Sequence, residues 1–121
     1  MNTIENIIAI PRKSFTVTTN DINNNNALLS NILYNKMEGF SKDIVLNKSN
    51  IDFPNPRLYK LELLKNAYLN DTLHLKSKIK KYNETELQLL VAVEIENNIK
   101  DNIICKAIFK FPLKNKIQEA S

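Results

Sequence analysis

Residues 23 to 38 read NNNNALLSNILYNKME, an Asn-rich turn that leads directly into a segment with helical periodicity. Asparagine favours turns because it tolerates left-handed backbone and its side chain competes with helical hydrogen bonds. The apolar residues that follow recur at helical spacing and form one stripe: Leu29, Leu33, Met37 and Phe40. A polar or amphipathic stripe lies beside it: Ser30, Asn31, Tyr34 and Glu38. The segment therefore predicts one helix that holds the carboxylate of Glu38 beside its apolar face.

The predicted helix runs from Ala27 to about Ser41. Either Asn25 or Asn26 is expected to be its N-cap, because both follow the turn and directly precede the periodic residues. Gly39 is the only glycine of the chain. Inside a helix it would cost about 1 kcal/mol relative to alanine. Gly39 therefore predicts either the end of the helix or the close approach of another backbone.

Most of the remaining chain has the character of β-strand. The β-rich residues 14–19 predict a first strand ahead of the turn. Four strands are predicted after the helix: Arg57–Tyr68, Thr72–Tyr82, Glu86–Glu96 and Ile103–Leu113. The separators between the last strands are short and turn-like, which favours antiparallel neighbours. The predicted class is α+β, with one helix followed by an antiparallel meander.

Composition excludes several classes of function. The chain has 121 residues and a formal net charge of +4, and this length predicts one domain. Its one cysteine, Cys105, excludes an internal disulfide and is expected to be a buried, apolar side chain. No apolar run approaches the ~20 residues that span a bilayer, and no signal-peptide pattern is present, so a cytoplasmic protein without a membrane partner is expected. Aromatic residues do not interleave with the lysines, so no nucleic-acid partner is expected. No metal or cofactor is expected either.

The spacing of residues from Asn23 onward resembles the acyl-CoA thioesterases of the hotdog fold. In that fold a curved antiparallel sheet wraps one central helix. The family carries an Asn, a Gly and a Gly-Gly pair at the start of the helix, followed by a catalytic acid. Here Asn23 matches the Asn, Asn26 stands at the first Gly, Ser30–Asn31 replaces the Gly-Gly pair, and Glu38 stands at the acid.

The resemblance continues downstream and covers roughly residues 14–113. The family's aromatic-x-x-Pro and Gly-Asp element corresponds to Leu63, Asn66, Asn70 and Asp71. Its Gly-Arg-Ser/Thr-Ser turn corresponds to Asn83, Glu84, Thr85 and Glu86. Every family glycine is replaced, and Glu84 stands where the family has an Arg suited to phosphate contact.

The resemblance implies a single hotdog domain over residues 1–121, with a core at about 14–113 and a polar tail at 114–121. It implies hydrolysis of an acyl thioester of CoA or of acyl carrier protein at a site between the subunits of a homodimer or homotetramer. Glu38 would be the base or nucleophile, and Asn23 would orient water or the thioester from the partner subunit. Four residues would contact the substrate: Ser30, Asn31, Tyr34 and Thr85. Three would line the acyl tunnel: Leu28, Leu29 and Ile32.

The residues leave alternatives open. Glu38 is either the catalytic acid or a solvated helix residue, and Asn23 is either the substrate-orienting Asn or only a turn former. Thr85 is either a ligand contact or the opening residue of a strand. A second function is a catalytically inactive hotdog protein that binds acyl chains or serves as a structural subunit, which the replaced glycines favour. A dehydratase of the same fold is disfavoured, because the only histidine, His74, lies on an outward strand face.

A row of lysines on the third predicted strand also has two interpretations. Its members are Lys76, Lys78, Lys80 and Lys81. The row either contacts CoA phosphates or an acidic carrier protein, or it is a solvated face that protects an edge strand from pairing.

Overall fold

The structure is a computed structural model that describes residues 12–46, 56–96 and 102–112. Over these residues the chain forms one α-helix and one five-stranded antiparallel sheet. The elements in chain order are β1 (Arg12–Thr16), α1 (Ser30–Leu46), β2 (Arg57–Leu63), β3 (Thr72–Tyr82), β4 (Glu86–Ile95) and β5 (Ile103–Pro112), with a short 3₁₀ turn between β1 and α1. The predicted α+β fold, one helix packed on an antiparallel sheet, is confirmed.

The strand order of the sheet is β1-β3-β4-β5-β2. Strands β3, β4 and β5 form the predicted meander, but β2 pairs with β5 and not with β3. The prediction of a meander through all four strands is therefore wrong at its first step. The physical reason is that residues 64–71 cross the end of the sheet, where Leu28 N–H donates to Ala67 O at 2.8 Å. The edge of β3 is consequently free to pair with β1.

The inner face of the sheet is apolar and buried, as the alternation in β3 and β4 predicts. Its fully buried side chains include Leu73, Leu75, Leu89, Val91, Val93, Ala107, Phe109 and Phe111. Helix α1 packs across β3, β4 and β5, and the helix face that it buries includes Leu33, Met37, Phe40, Ile44 and Val45. Cys105 is 1% exposed, which agrees with its expected apolar role. Bulges in β2, β3 and β5 allow the sheet to bend around the helix.

The lysines of β3 lie on the outer face of the sheet. Since β3 lies between β1 and β4, it is not an edge strand, and protection of an edge does not explain these lysines. Two of them form ion pairs instead: Lys76 with Glu94 at 2.9 Å and Lys81 with Glu86 at 3.6 Å.

Helix α1 begins three positions later than predicted, at Ser30 and not at Ala27. The turn before it extends further than expected, because Asn26 adopts a left-handed φ of 64° and Ala27 forms a β-bridge with Tyr68. The N-cap prediction for Asn25 or Asn26 is therefore wrong.

Gly39 lies inside α1, which continues to Leu46. It neither ends the helix nor marks a close backbone approach, because a Cβ added at this position meets no described atom within 4 Å. The prediction that the helix ends at Gly39 is wrong, and no described backbone makes the predicted close approach. At this position the only effect of glycine on the isolated chain is the entropic cost of an unrestricted backbone.

Several sequence predictions fall outside the described residues. These include most of the connector before β2, the separator between β4 and β5 from residue 97 to 101, and the polar tail at 114–121. The extent of the domain and the cytoplasmic location stay predictions. Within the described ranges, no helix combines the length and the apolar character that crossing a membrane requires.

Replacing Gly39 with alanine should raise the free energy of unfolding by about 1 kcal/mol, because alanine restricts the unfolded backbone and meets no steric obstacle. Urea titration followed by circular dichroism, at one fixed protein concentration, measures this change. A loss of stability would show that another subunit packs against this face of the helix.

Candidate active site

The two sides of helix α1 face different edges of the sheet. On one side Lys36 Nζ lies 5.1 Å from the centre of the Phe15 ring, which places this side toward β1. Tyr34 is two positions away, about 200° around the helix, and its ring centre lies 6.1 Å from that of Phe109 in β5. Glu38 is one helical turn after Tyr34 and shares its stripe. The stripe of Tyr34 and Glu38 therefore faces β2, at the opposite edge.

Glu38 and Tyr34 are coupled across one helical turn. The Tyr34 hydroxyl donates a long hydrogen bond to Glu38 Oε2 at 3.4 Å, and both residues are half-buried. Burial raises the pKa of Tyr34, and the neighbouring carboxylate of Glu38 raises it further. Tyr34 consequently keeps its proton at neutral pH and remains a hydrogen-bond donor. Glu38 is thus half-buried with one protein partner on its own helix, and its role stays a prediction.

The start of α1 presents backbone donors without acceptors. Leu33 is the first helical residue whose N–H is bonded, to Leu29 O at 3.1 Å. Among the described residues no hydrogen-bond acceptor reaches the N–H groups of Ser30, Asn31 and Ile32. These groups carry the positive end of the helix dipole. They can therefore stabilise negative charge on an oxygen atom, as polarisation of a thioester carbonyl requires.

A small apolar cavity lies between α1 and the strands β2 and β5. Its volume is about 30 Å³, and its lining residues are Ser30, Leu33, Tyr34, Met37, Leu61, Leu63 and Cys105. Burial raises the pKa of the Cys105 thiol to about 11, and the charge of Glu62 adds to this. The thiol therefore stays protonated and acts as apolar lining.

The three predicted tunnel residues do not line this cavity. Leu28 and Leu29 precede the helix and are bound to other loops, through Ala67 O and Asp21 O respectively. Ile32 lies about 200° around the helix from Tyr34, so it points to a different side. Helical spacing could have identified four of the lining residues, because Ser30, Leu33, Tyr34 and Met37 share one helical face. The contribution of Leu61, Leu63 and Cys105 depends on the pairing of β2 with β5, which sequence analysis did not predict.

Asn23 lies in the turn before the helix, where its side chain organises the backbone. Its Oδ1 accepts the N–H of Asn25 at 2.8 Å and the N–H of Ala27 at 3.1 Å. Its Nδ2 makes no hydrogen bond within the described residues. Ser30 and Glu38 are separated by a rise of about 12 Å along the helix. Because Asn23 precedes Ser30, one chain does not bring Asn23 and Glu38 together.

Thr85 is also remote from the cavity of its own chain. It lies in the turn between β3 and β4, where its N–H and its hydroxyl both donate to Asn83 Oδ1 at 2.9 Å. Together with Arg57, the first residue of β2, it lines a groove on the sheet. The cavity is near Leu63 at the other end of β2, about 20 Å away along an extended strand.

The open edge of the sheet beside the cavity exposes several large apolar residues. Strand β2 ends the strand order, so one side of it has no neighbour among the described strands. Leu61 and Leu63 are 51% and 52% exposed there. Three more large apolar residues on β2 and the segment after it are about half-exposed: Tyr59, Leu64 and Tyr68. An edge of this kind favours pairing with another strand.

The described residues contain no group of three or more His, Cys, Asp or Glu side chains placed to hold a metal ion. His74 has partners on the outer face of the sheet, away from the cavity. Its Nδ1 lies 2.7 Å from Ser14 Oγ and its Nε2 lies 2.8 Å from Glu96 Oε1.

Replacing Asn23 with alanine should lower the free energy of unfolding by about 2 kcal/mol, because two backbone N–H groups lose their acceptor. Asn23→Asp is the matched control, since it keeps an oxygen at the position of Oδ1, and it should change stability by less than about 0.5 kcal/mol. Urea titration of both variants compares the two. If Asn23→Ala and Asn23→Asp lose the same free energy of unfolding, the turn does not depend on the hydrogen bonds that Oδ1 accepts.

Comparisons with known proteins identify the fold. No protein-family model matches the sequence, and a search of curated proteins finds no match. Among solved structures, a hypothetical thioesterase from Streptococcus pneumoniae TIGR4 with coenzyme A superposes with a TM-score of 0.70 at 17% identity, covering 86% of this chain and 77% of that chain.

Two other solved structures are similar. A variant of an acyl-CoA hydrolase from Staphylococcus aureus has a TM-score of 0.73 at 13% identity, and the match covers 85% of this chain but 64% of that chain. The hexameric thioesterase y2039 from Yersinia pestis has a TM-score of 0.70 at 12% identity, with 87% of each chain covered. These superpositions extend over most of the helix and sheet described above. The chain therefore has the hotdog fold, as its resemblance to that group implied.

Proposed function

We propose that this protein hydrolyses acyl thioesters of coenzyme A, with the Glu38 carboxylate as the general base, at a site formed between two subunits. One observation carries the proposal: the half-buried carboxylate of Glu38 accepts a hydrogen bond from Tyr34, which lines an apolar cavity beside β2, an edge strand among the described strands. The structural neighbours support it, since they include a thioesterase with coenzyme A and an acyl-CoA hydrolase.

The reaction requires a base for water and a donor for the carbonyl oxygen. Glu38 accepts a proton from a water molecule, and the water oxygen forms a bond to the acyl carbon. Backbone N–H groups at the start of a helix bind the oxyanion that develops. The carbon–sulfur bond then breaks, and the thiolate takes the proton from Glu38. The products are a carboxylic acid and free coenzyme A.

One chain cannot supply both groups to one acyl carbon. The rise of about 12 Å between Ser30 and Glu38 separates the free N–H groups from the carboxylate. A two-fold axis at the β2 edge makes the two α1 helices antiparallel and places the start of one beside the middle of the other. We therefore assign Glu38 to one subunit and the N–H donors of Ser30 and Asn31 to its partner.

The same two-fold pairing gives roles to the remaining predicted residues. When β2 of one subunit pairs antiparallel with β2 of the other, the first residues of the partner's β2 lie beside Leu63, at the end of the first subunit's β2. The partner's Thr85 is then brought toward the cavity. Asn23 of the partner subunit precedes the partner's helix start and reaches the same region. Since its Oδ1 is held in the turn, its Nδ2 is the atom available to water or the thioester.

The Glu38→Gln variant should lose about 10²- to 10⁴-fold in kcat, because an amide has the shape of the carboxylate but cannot accept the proton. Hydrolysis of an acyl-CoA panel, followed by thiol release, measures the loss. The matched control is Glu94→Gln on the outer face, which breaks the ion pair with Lys76 and should leave kcat unchanged.

Three other outcomes would each change the assignment. Full activity of Glu38→Gln would remove Glu38 from the mechanism. An acyl adduct trapped on Glu38 and mapped by mass spectrometry would make it the nucleophile. If the wild-type protein hydrolyses nothing but is thermally stabilised by acyl-CoA, the protein is an acyl-binding hotdog without catalysis.

Replacing Leu61 with lysine should convert the oligomer to monomers, because a charge at the centre of the apolar β2 edge is costly to bury between subunits. Tyr82→Lys is the matched control, since Tyr82 is an exposed large apolar residue on another strand. Sedimentation velocity at one protein concentration compares the masses. An unchanged oligomer in Leu61→Lys, or an active wild-type monomer, would exclude the shared site.

A further inference from the structure

The apolar cavity has an open end and a closed end. At the open end Leu61 and Leu63 are half-exposed, and Ser30 is exposed at the start of the helix. At the inner end Met37 and Cys105 are buried, with exposures of 0% and 1%. Cys105 Sγ and Met37 Sδ lie 3.7 Å apart, so the two sulfur atoms are in contact and close the cavity.

The core around this closed end is already filled, since Val93, the cross-strand partner of Cys105, is 0% exposed. Phe109 and Val91 are fully buried on the inner face of the sheet. A chain that extended past Met37 and Cys105 would have to displace close-packed side chains, and such overpacking destabilises proteins. The cavity volume of about 30 Å³ is about two to three times the ~10–15 Å³ that one water molecule needs. The cavity therefore holds only a few heavy atoms.

We infer that the substrates are short-chain acyl thioesters, with acyl groups of about two to four carbons, and that Met37 and Cys105 set this limit. The inference rests on the proposed function, because it assigns the cavity to the acyl group. The carbonyl carbon lies at the open end beside Tyr34, and the alkyl carbons point toward the sulfur pair. Each further methylene meets the closed end and not a continuing tunnel.

The test compares kcat/KM for acetyl-, butyryl-, hexanoyl-, octanoyl- and lauroyl-CoA. For the wild-type protein, kcat/KM should fall at least about tenfold between butyryl- and octanoyl-CoA, since one misfitted methylene in an apolar pocket is worth about 10-fold or more. In Met37→Ala the ratio of kcat/KM for octanoyl-CoA to kcat/KM for butyryl-CoA should rise by about tenfold or more. Cys105→Ala removes a single sulfur atom and should raise the ratio less.

Leu75→Ala is the matched control for lost core volume. Leu75 is 1% exposed on the same face of the sheet but does not line the cavity, so its removal should leave the ratio unchanged. Met37→Ala leaves a larger cavity in the core than Cys105→Ala does, and circular dichroism checks whether the Met37→Ala variant folds. If it does not fold, the wild-type profile and Cys105→Ala decide the question.

The outcomes separate this inference from the proposed function. Hydrolysis with a preference for octanoyl- or lauroyl-CoA would overturn the inference and leave the hydrolase proposal standing. An unchanged ratio in a folded, active Met37→Ala variant would also overturn it. If nothing is hydrolysed, thermal stabilisation by butyryl-CoA but not by lauroyl-CoA would support the inference and reject hydrolysis. Absence of both hydrolysis and stabilisation would reject both.

Discussion

The packing of helix α1 across β3, β4 and β5 is the constraint on which the rest of the structure depends. The apolar stripe that includes Met37 and Phe40 is buried against these strands. Burial of such side chains stabilises the fold by about 1.5–3 kcal/mol each, so the rotation of the helix is firmly set. Because the stripe is fixed, Tyr34 and Glu38 face β2 and Lys36 faces β1. The position of the carboxylate thus follows from the burial of its neighbours.

The same packing makes the two edges of the sheet unequal. At the β1 edge the strand is short, and Arg12, Lys13 and Ser14 are exposed, which discourages pairing with another strand. At the β2 edge large apolar residues, Tyr59, Leu61 and Leu63, are exposed between charged ones. The β2 edge therefore offers more apolar surface for a second copy than the β1 edge does, and the cavity lies beside it. In the dimer proposed above, the partner subunit and the acyl group both contact this edge, so a change that weakens assembly should also weaken substrate binding.

The sequence predicted those features that depend on local periodicity. The bounds of β3 match, β4 ends one residue before its predicted end, and β5 matches as far as the structure describes it. Each of these strands alternates clearly between apolar and polar residues. The shared stripe of Tyr34 and Glu38 followed from helical spacing alone. The partner of β2 could not be predicted, since its pairing with β5 joins residues that are far apart in sequence. The cavity depends on that pairing, so its strand residues were missed.

The positions at which the family glycines are replaced fall into two groups, those that need a left-handed backbone and those that need space. Asn26 and Asn70 stand where the hotdog thioesterases carry glycine, and both adopt positive φ, 64° and 76°. Asparagine tolerates this conformation better than most residues, so the backbone path survives the replacement. Ser30 and Asn31 are different, because glycine at a helix start provides room and the backbone N–H groups do not require it. Ser30 adds its side chain at the open end of a cavity that Met37 and Cys105 already close. Under the proposed function, the departure from the family pattern and the filled core would restrict the acyl group from both ends.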